Sequence, residues 1–481
     1  MDYEPVVGIE THAQLQTQSK MFCRCPANYA GAEPNTLVCP VCLGMPGVLP
    51  VINERAVEYT VLVALALHCE ISPFSKFDRK NYHYPDLVKG YQISQYDLPI
   101  SRDGWIDLEL PSGRISRVGI ERVHLEEDTG KLIHVEGHSL IDFNRSGVPL
   151  IEVVTKPDLH SLEEVQAYLA KLRSLLRYLR VNSGNMEEGA MRFEANVSLR
   201  PIGSTSLGTK VEIKNLNSFR AVLRSLEFEI GRQSRALSRG EVIVQETMGW
   251  DDVRGVTFVQ RSKEYAHDYR YFPEPDLPPL ELSREWVESV RAKLPELPDA
   301  KRERFMAQYG LSAYDANLLT AERDIADYFE AAVAAGKSLG VSAKSVANWM
   351  TGELFRLLNE TGLEISATRV SASSLASLIA LVEGGTISGS TGKEVLAEMF
   401  HSGVVAEDII AARGLAQISD VSVLEAIVNE VIATNPKPVA EYRAGKEPVL
   451  RFLIGQVMKK TAGKANPALA EELLRKRLRG E

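Results

Sequence analysis

The stretch from Met191 to Asn217 constrains the chain more than any other. Along Arg192–Leu199 apolar and polar residues alternate strictly, with Phe193, Ala195, Val197 and Leu199 set against Arg192, Glu194, Asn196 and Ser198. Val211 and Ile213 alternate in the same way with Lys210, Glu212 and Lys214, and the intervening PIGSTSLG is rich in turn residues. Two such runs joined by a turn predict an antiparallel hairpin with one buried and one polar face. Residues two apart on a strand project side by side. The polar face therefore lines up carboxylates, an amide and lysines, a set suited to holding a metal–nucleotide. An exposed face stitched by cross-strand ion pairs has the same composition, and the hairpin alone does not separate the two.

Two other segments carry similar polarity. Pro5–Leu15 alternates, with Val7, Ile9 and Thr11 on one side and Glu10 and His12 together on the other. Gly119–Lys131 brings an alternating run to three successive carboxylates, Glu126, Glu127 and Asp128. An unbroken strand sends Glu127 to the opposite face, so Glu126 and Glu127 can share a ligand only where the strand ends or bulges. Carboxylates at a strand end suit Mg2+, which takes oxygen ligands and keeps several waters; solvated triplets are also common. Phe77–Pro99 interleaves tyrosines with Lys80 and Lys89. Such residues stack a base and hold phosphates, or simply line a polar loop.

Cys23 and Cys25 precede Cys39 and Cys42 across a loop of Gly, Pro and Asn. A C-x-C and a C-x2-C pair fit a tetrahedral four-thiolate zinc site; unligated thiols are the alternative. A closed site leaves no open position for chemistry, so its expected role is in folding. Cys69 stands apart in an apolar helix and is expected in the core. Five cysteines in 481 residues are too few for a disulfide framework. The acidic N-terminus enters a strand pattern at once, unlike a signal or transit peptide, and no run approaches the ~18–20 apolar residues of a membrane span. A cytoplasmic protein with no membrane partner is expected.

Ser161 and Glu164 predict a capping box opening a helix whose buried stripe is Leu162, Val165, Leu169, Leu172 and Leu176. Asn217 or Ser218 caps another. From about Pro295 the pattern is helical throughout, and GTISGSTGKEV is read as a turn between helices. It lacks the glycine and the Ser/Thr that a phosphate loop requires. Three domains are expected, over residues 1–294, 295–405 and 406–481. Net charge is −9, yet from Asn435 to Glu481 eleven Lys and Arg face five acids, a local balance of +6. Backbone phosphates are the natural partner of such a surface, although a solvated helical tail has the same composition.

VVGIETHAQL, the four cysteines, FDRKNYHYPDLVKGYQISQ, HLEEDTGK, DFNRSGVPLIEVV, NMEEGAMRFEANVSLR, TKVEIKNLNS, DYRYFPEPDLPPL and GQVMKKTAGKANP occur in this order over nearly the whole chain. Together they resemble the B subunits of the aspartyl/glutamyl-tRNA(Asn/Gln) amidotransferases. The resemblance implies an α+β fold: a glutamine-synthetase-like cradle, built as a curved antiparallel sheet with helices, then an all-helical domain and a small tRNA-binding tail domain. It implies ATP-dependent phosphorylation of the side-chain carboxylate of mischarged Glu-tRNA(Gln) or Asp-tRNA(Asn), followed by amidation. Ammonia would come from a partner amidase (A) subunit, with a small C subunit completing a heterotrimer. No serine–lysine amidase constellation is evident in this chain.

On that reading Glu10, His12, Glu126 and Glu127 hold Mg2+ or its water at the ATP. Lys80, Arg192, Lys210 and Lys214 contact phosphates or the substrate carboxylate, and Glu212 holds metal or guides ammonium. Lys446, Lys459, Lys460 and Lys464 of the tail contact tRNA. Cys23, Cys25, Cys39 and Cys42 hold structural zinc, incidental to catalysis. A non-catalytic tRNA scaffold would need the zinc knuckle and basic tail, but not Glu10, Glu126 and Glu212 as a set. An ATP-dependent ligase of free amino acids would need those carboxylates but not the tail.

Overall fold

The computed structural model describes residues 3–262, 269–416, 421–461 and 465–479. The chain divides into two compact units, Met1–Leu297 and Pro298–Glu481.

The first unit is built on a nine-stranded sheet. Its strands are β1 (Tyr3–Gln14), β2 (Glu70–Ile71), β3 (Ser101–Glu109), β4 (Ile115–Glu127), β5 (Pro149–Thr155), β6 (Met191–Pro201), β7 (Val211–Leu216), β8 (Glu246–Asp251) and β9 (Val256–Ser262). Their spatial order is β9-β8-β7-β6-β1-β5-β4-β3-β2. The expected hairpin is present as β6 and β7, with Asn196 opposite Glu212. The sheet is mixed rather than wholly antiparallel, because β7 and β8 run parallel. Helix α3 (Phe219–Ser238) lies between them in sequence, and a crossover of that length returns the chain in the same direction.

One face of the sheet is apolar. Ile9, Val123, Leu125, Ile151, Val153, Phe193, Ala195 and Ile213 are buried there in a single core with residues of α1 (Glu54–Ala66), α2 (Leu162–Tyr178) and α3. Cys69 belongs to that core. Burying this face is the main favourable term in folding the unit, at about 25 cal/mol per Å2 of apolar surface. The opposite face carries the polar side chains.

Asn53 caps α1, Ser161 caps α2 and Ser218 caps α3. The α2 cap departs from the reciprocal box. Ser161 Oγ accepts from the Glu164 N–H at 3.2 Å, but the Glu164 carboxylate accepts from the His160 N–H at 2.7 Å, as well as from Ser116 and Arg114. Burial would raise the Glu164 pKa; the His160, Ser116 and Arg114 hydrogen bonds outweigh it and hold it below its usual value. A depressed folded-state pKa gives stability that is present above about pH 4.5 and lost as the pH falls. Glu164→Gln is expected to cost about 1–2 kcal/mol at neutral pH, and the gap to wild type should close on acidification. Urea denaturation at pH 7 and pH 4 checks both.

Among the described residues, Pro298–Glu481 contains helices and no strand. Apolar side chains from Phe305 to Ile410 form one core, and those from Leu424 to Leu478 form another. GTISGSTGKEV proves to be only in part a turn, since the helix Gly389–Ser402 begins inside it, capped by Ser388. Gly392 is a packing glycine. A Cβ there would lie 2.6 Å from Val382 Cγ2 and 2.9 Å from the Trp349 ring. Among the described residues no helix is long and apolar enough to cross a membrane.

Candidate active site on the polar sheet face

Strand register assembles the site. Across the centre of the sheet His12 pairs with Glu152 on one side and Arg192 on the other, and Glu152 pairs in turn with His124. Glu10 pairs with Glu194, and Asn196 with Glu212. All of these side chains share the face opposite the helices, because partners directly across a ladder project to the same side.

They form two groups. In the first, the ligand-capable atoms of His12, Glu126 and Glu152 lie within 4.8 Å of one another. His12 Nε2 is 3.5 Å from Glu152 and 3.7 Å from Glu126, while His124 Nε2 is 3.2 Å from Glu152. Burial would lower the His12 pKa, but Glu152 and its neighbouring carboxylates outweigh it and raise it to about 9. In the second group, carboxylate oxygens of Glu10, Glu194 and Glu212 lie within 4.8 Å of one another. Lys214 neutralises part of that charge, 2.6 Å from Glu194 and 3.7 Å from Glu212. Burial raises the Glu10 pKa, and the nearby Glu152 and Glu194 raise it further. Asn196 donates to Glu10 at 2.8 Å, while its own Oδ1 is buried with no donor. A buried acceptor without a partner, beside three clustered carboxylates, is the environment a hard cation satisfies.

The other expected residues are distributed around these groups. Lys80 lies on the strand Asp78–Asn81, with its ammonium 5.2 Å from the Tyr269 ring and 5.8 Å from the Tyr82 ring. Burial would lower its pKa, but Tyr271 and Glu126 hold it well above its ordinary value. Arg192 binds Asp128 at 2.8 Å. Lys210 is exposed and borders a cavity of about 330 Å3 whose wall includes Glu10, Arg122 and Asn196. Glu127 joins neither group. It points away from Glu126, as strand alternation requires, and pairs with Lys89 at 2.5 Å.

The sulfurs of Cys23, Cys25, Cys39 and Cys42 lie within 4.8 Å of one another. A hydrogen bond from Cys23 lowers the Cys42 pKa to about 5, and the buried Lys20 ammonium, 3.7 Å from that sulfur, also favours thiolate. Thiolate donors at this spacing fit a tetrahedral zinc with bonds of ~2.3 Å. The knuckle is anchored to the cradle. The fully buried Asn144 accepts from Leu37 N and donates to the Glu33 carbonyl, while Asn35 bonds the backbone at Ile141 and Phe143. Purified protein is expected to carry about one zinc per chain. Emission spectroscopy reading well below that would remove the assignment. Cys42→Ala should lower both zinc content and melting temperature.

In the second unit Lys446 and Lys459 are exposed, and Lys460 pairs with Glu430. Lys464 lies outside the described residues.

Comparison with known proteins decides the family. The family model described as the GatB/GatE catalytic domain matches residues 5–288, and the one described as the GatB domain matches residues 327–478. The chain belongs to the GatB family. It is 57% identical over 482 residues to the B subunit of the aspartyl/glutamyl-tRNA(Asn/Gln) amidotransferase of Thermomicrobium roseum, covering 99% of each chain. It is 55% identical to the B subunits of the same name from Dehalococcoides mccartyi (strain CBDB1), over 99% of each chain, and Moorella thermoacetica, over 99% of this chain and 100% of the relative. As a GatB-type chain it is the B component of a tRNA-dependent amidotransferase, a carbon–nitrogen ligase.

Within this GatB cradle, sequence reasoning missed Glu152 and His124. The signal for Glu152 was present. It is the one charged residue in PLIEVVT, a strand buried along its whole length, and a lone carboxylate in such a run has to be paired or functional. His124 needed the register with Glu152 to stand out.

Proposed function

We propose that the polar face of the cradle activates the side-chain carboxylate of Glu-tRNA(Gln) or Asp-tRNA(Asn) with ATP, and that a partner amidase delivers the ammonia that displaces phosphate. The observation that carries this reading is the pair of acidic groups on adjacent strands, with Lys80, Arg192 and Lys214 among them. Glu10 and His12 are two residues apart on β1, so the groups lie about 7 Å apart. A carboxylate attacking ATP brings two anions together, and this surface interleaves cation ligands with cationic side chains to allow it.

His12, once it has released its proton to solvent, would hold one divalent cation with Glu126 and Glu152, and Glu10, Glu194 and Glu212 would hold a second, with Asn196 Oδ1 available to it. Mg2+ bound there supplies charge neutralisation of the phosphates and orients them. Lys214 and Lys210 meet ATP phosphates on the Glu10 side, beside the cavity that Arg122 also borders. Arg192, held by Asp128, meets the substrate carboxylate. A carboxylate oxygen bonds to the γ-phosphorus as its bond to the β-bridging oxygen breaks and ADP leaves. Ammonia then attacks the acyl carbon, the carbon–oxygen bond to phosphate breaks, and the nitrogen loses a proton. The tail carries the tRNA backbone on Lys446, Lys459 and neighbouring cations. That the relatives are named as B subunits supports assembly with A and C subunits in the cytoplasm, where translation uses the product.

The test combines this chain with its A and C partners, glutamine, Mg-ATP and each mischarged tRNA in turn. Amidated tRNA should form only when ATP and this chain are both present. Product formed without ATP would sink the reading.

A further inference from the structure

We infer that a second cavity, at the Gln14 end of β1, seats the terminal nucleoside of the aminoacyl ester. The inference rests on the activation reading above and specifies where its substrate lies.

Three residues of one strand face organise the site. Glu10 borders the cavity of about 330 Å3, Gln14 borders another of about 460 Å3, and His12 lies between them. Glu10 and Gln14 are four residues apart on β1, about 13 Å. The two cavities differ in charge. The one at Glu10 is bordered by Arg122 and Lys210 as well as by the carboxylates of Glu10 and Glu121, so it offers cations that can meet phosphates beside carboxylates that can hold their counter-ion. The one at Gln14 has no Lys or Arg among its lining residues, which include Gln14, Gln18, Asn28, Tyr29, Ser183 and Glu188. The side-chain amides of Gln18 and Asn28 and the Ser183 hydroxyl can read the edge of a base, and the tyrosine ring offers it a stacking surface. Glu188 supplies an acceptor for a ribose hydroxyl. A cavity lined by amides, with one carboxylate and no cation, fits a nucleoside better than a triphosphate.

Its connections point the same way. Gln14 Nε2 donates to Asp128 at 2.7 Å, and Asp128 holds Arg192 at 2.8 Å. Tyr29 donates from its hydroxyl to Gln14 Oε1 at 3.2 Å. The cavity is therefore wired to the arginine that meets the substrate carboxylate. In a glutamyl or aspartyl ester only a few bonds separate that carboxylate from the terminal ribose, so a nucleoside beyond Gln14 places the carboxylate towards His12. The same seat gives Tyr29 and Asn28, which lie in the loop between the cysteine pairs, a part in substrate binding.

The test uses the reconstituted complex and a stable amide-linked 3′-glutamyl-adenosine as probe. In wild type the probe should compete with mischarged tRNA and not with ATP. Gln18 and Asn28 are exposed, so Gln18→Ala and Asn28→Ala should fold normally. Each is expected to raise the probe's Ki and the KM for mischarged tRNA about 5- to 50-fold, leaving the KM for ATP within about two-fold. A probe that fails to bind wild type, that competes with ATP, or whose Ki is unmoved in both variants overturns the seat while wild-type amidation keeps the activation reading intact. A wild-type complex that does not amidate in an ATP-dependent way overturns both.

Discussion

Replacing Glu152 by glutamine should reduce ATP-dependent amidation by about a thousand-fold or more while leaving tRNA affinity unchanged. Glu152 is central to the first acidic group. It lies 3.5 Å from His12 and 3.2 Å from His124, and it is 7% exposed. Glutamine has the same shape but no charge, so the fold keeps its packing while the proposed cation position loses an anionic ligand. Both histidines also lose their nearest counter-charge. Burial, which opposes the charged imidazolium, then dominates at His12, and its pKa should fall from the value of about 9 that Glu152 and its neighbours sustain. The fall should appear in kcat with little change in the KM for tRNA, because the tail proposed above to carry the tRNA is untouched. Single-turnover amidation and filter binding measure the two separately. A variant retaining more than about a tenth of the wild-type rate would remove Glu152 from the activation chemistry.

Glu152 carries no local sequence signature of its place in the site. Alternation along β1, β4, β6 and β7 exposed Glu10, His12, Glu126, Glu194, Glu212 and Lys214, because a half-buried strand writes its two faces at a period of two. β5 is buried on both faces, so its period vanishes and no alternation marks the side to which its single carboxylate points. The strand order is also absent from any local pattern. β1 lies between β5 and β6, and only that neighbourhood brings His12 to Glu152 and Glu10 to Glu194. The opposed directions of Glu126 and Glu127 were legible, but the destination of Glu127 was not. Lys89, its partner, sits 38 residues away in sequence on a segment with no period of its own. The four-cysteine cluster is plain from its spacing. Its attachment through the buried Asn144 is not, since an asparagine in a turn ordinarily serves only its own backbone.

Lys214→Met should destabilise the metal-free protein by about 3 kcal/mol or more, and Mg2+ should restore much of the loss. Lys214 is the cation paired with the second acidic group, 2.6 Å from Glu194 and 3.7 Å from Glu212. Burial would lower its pKa, but Glu194 and Glu212 hold it above its ordinary value, so it is charged throughout the neutral range. Methionine keeps the stem and removes the charge, leaving three carboxylates within 4.8 Å of one another. They can relieve the repulsion by taking up protons or by binding a cation. The first route raises carboxyl pKa values, a shift already present at Glu10. Groups with raised pKa lose stability as the pH climbs through those values. The variant should therefore approach wild-type stability near pH 5 and fall furthest behind at pH 8. The second route works at pH 8, where a divalent ion takes the place of the missing ammonium. Melting temperature followed at pH 5 and pH 8, with and without Mg2+, separates the routes. Adding Mg2+ at pH 8 should raise the variant's melting temperature by more than it raises that of wild type. An equal rise in both proteins would mean that Glu10, Glu194 and Glu212 are ion-paired carboxylates with no cation of their own, and the second metal position would be withdrawn.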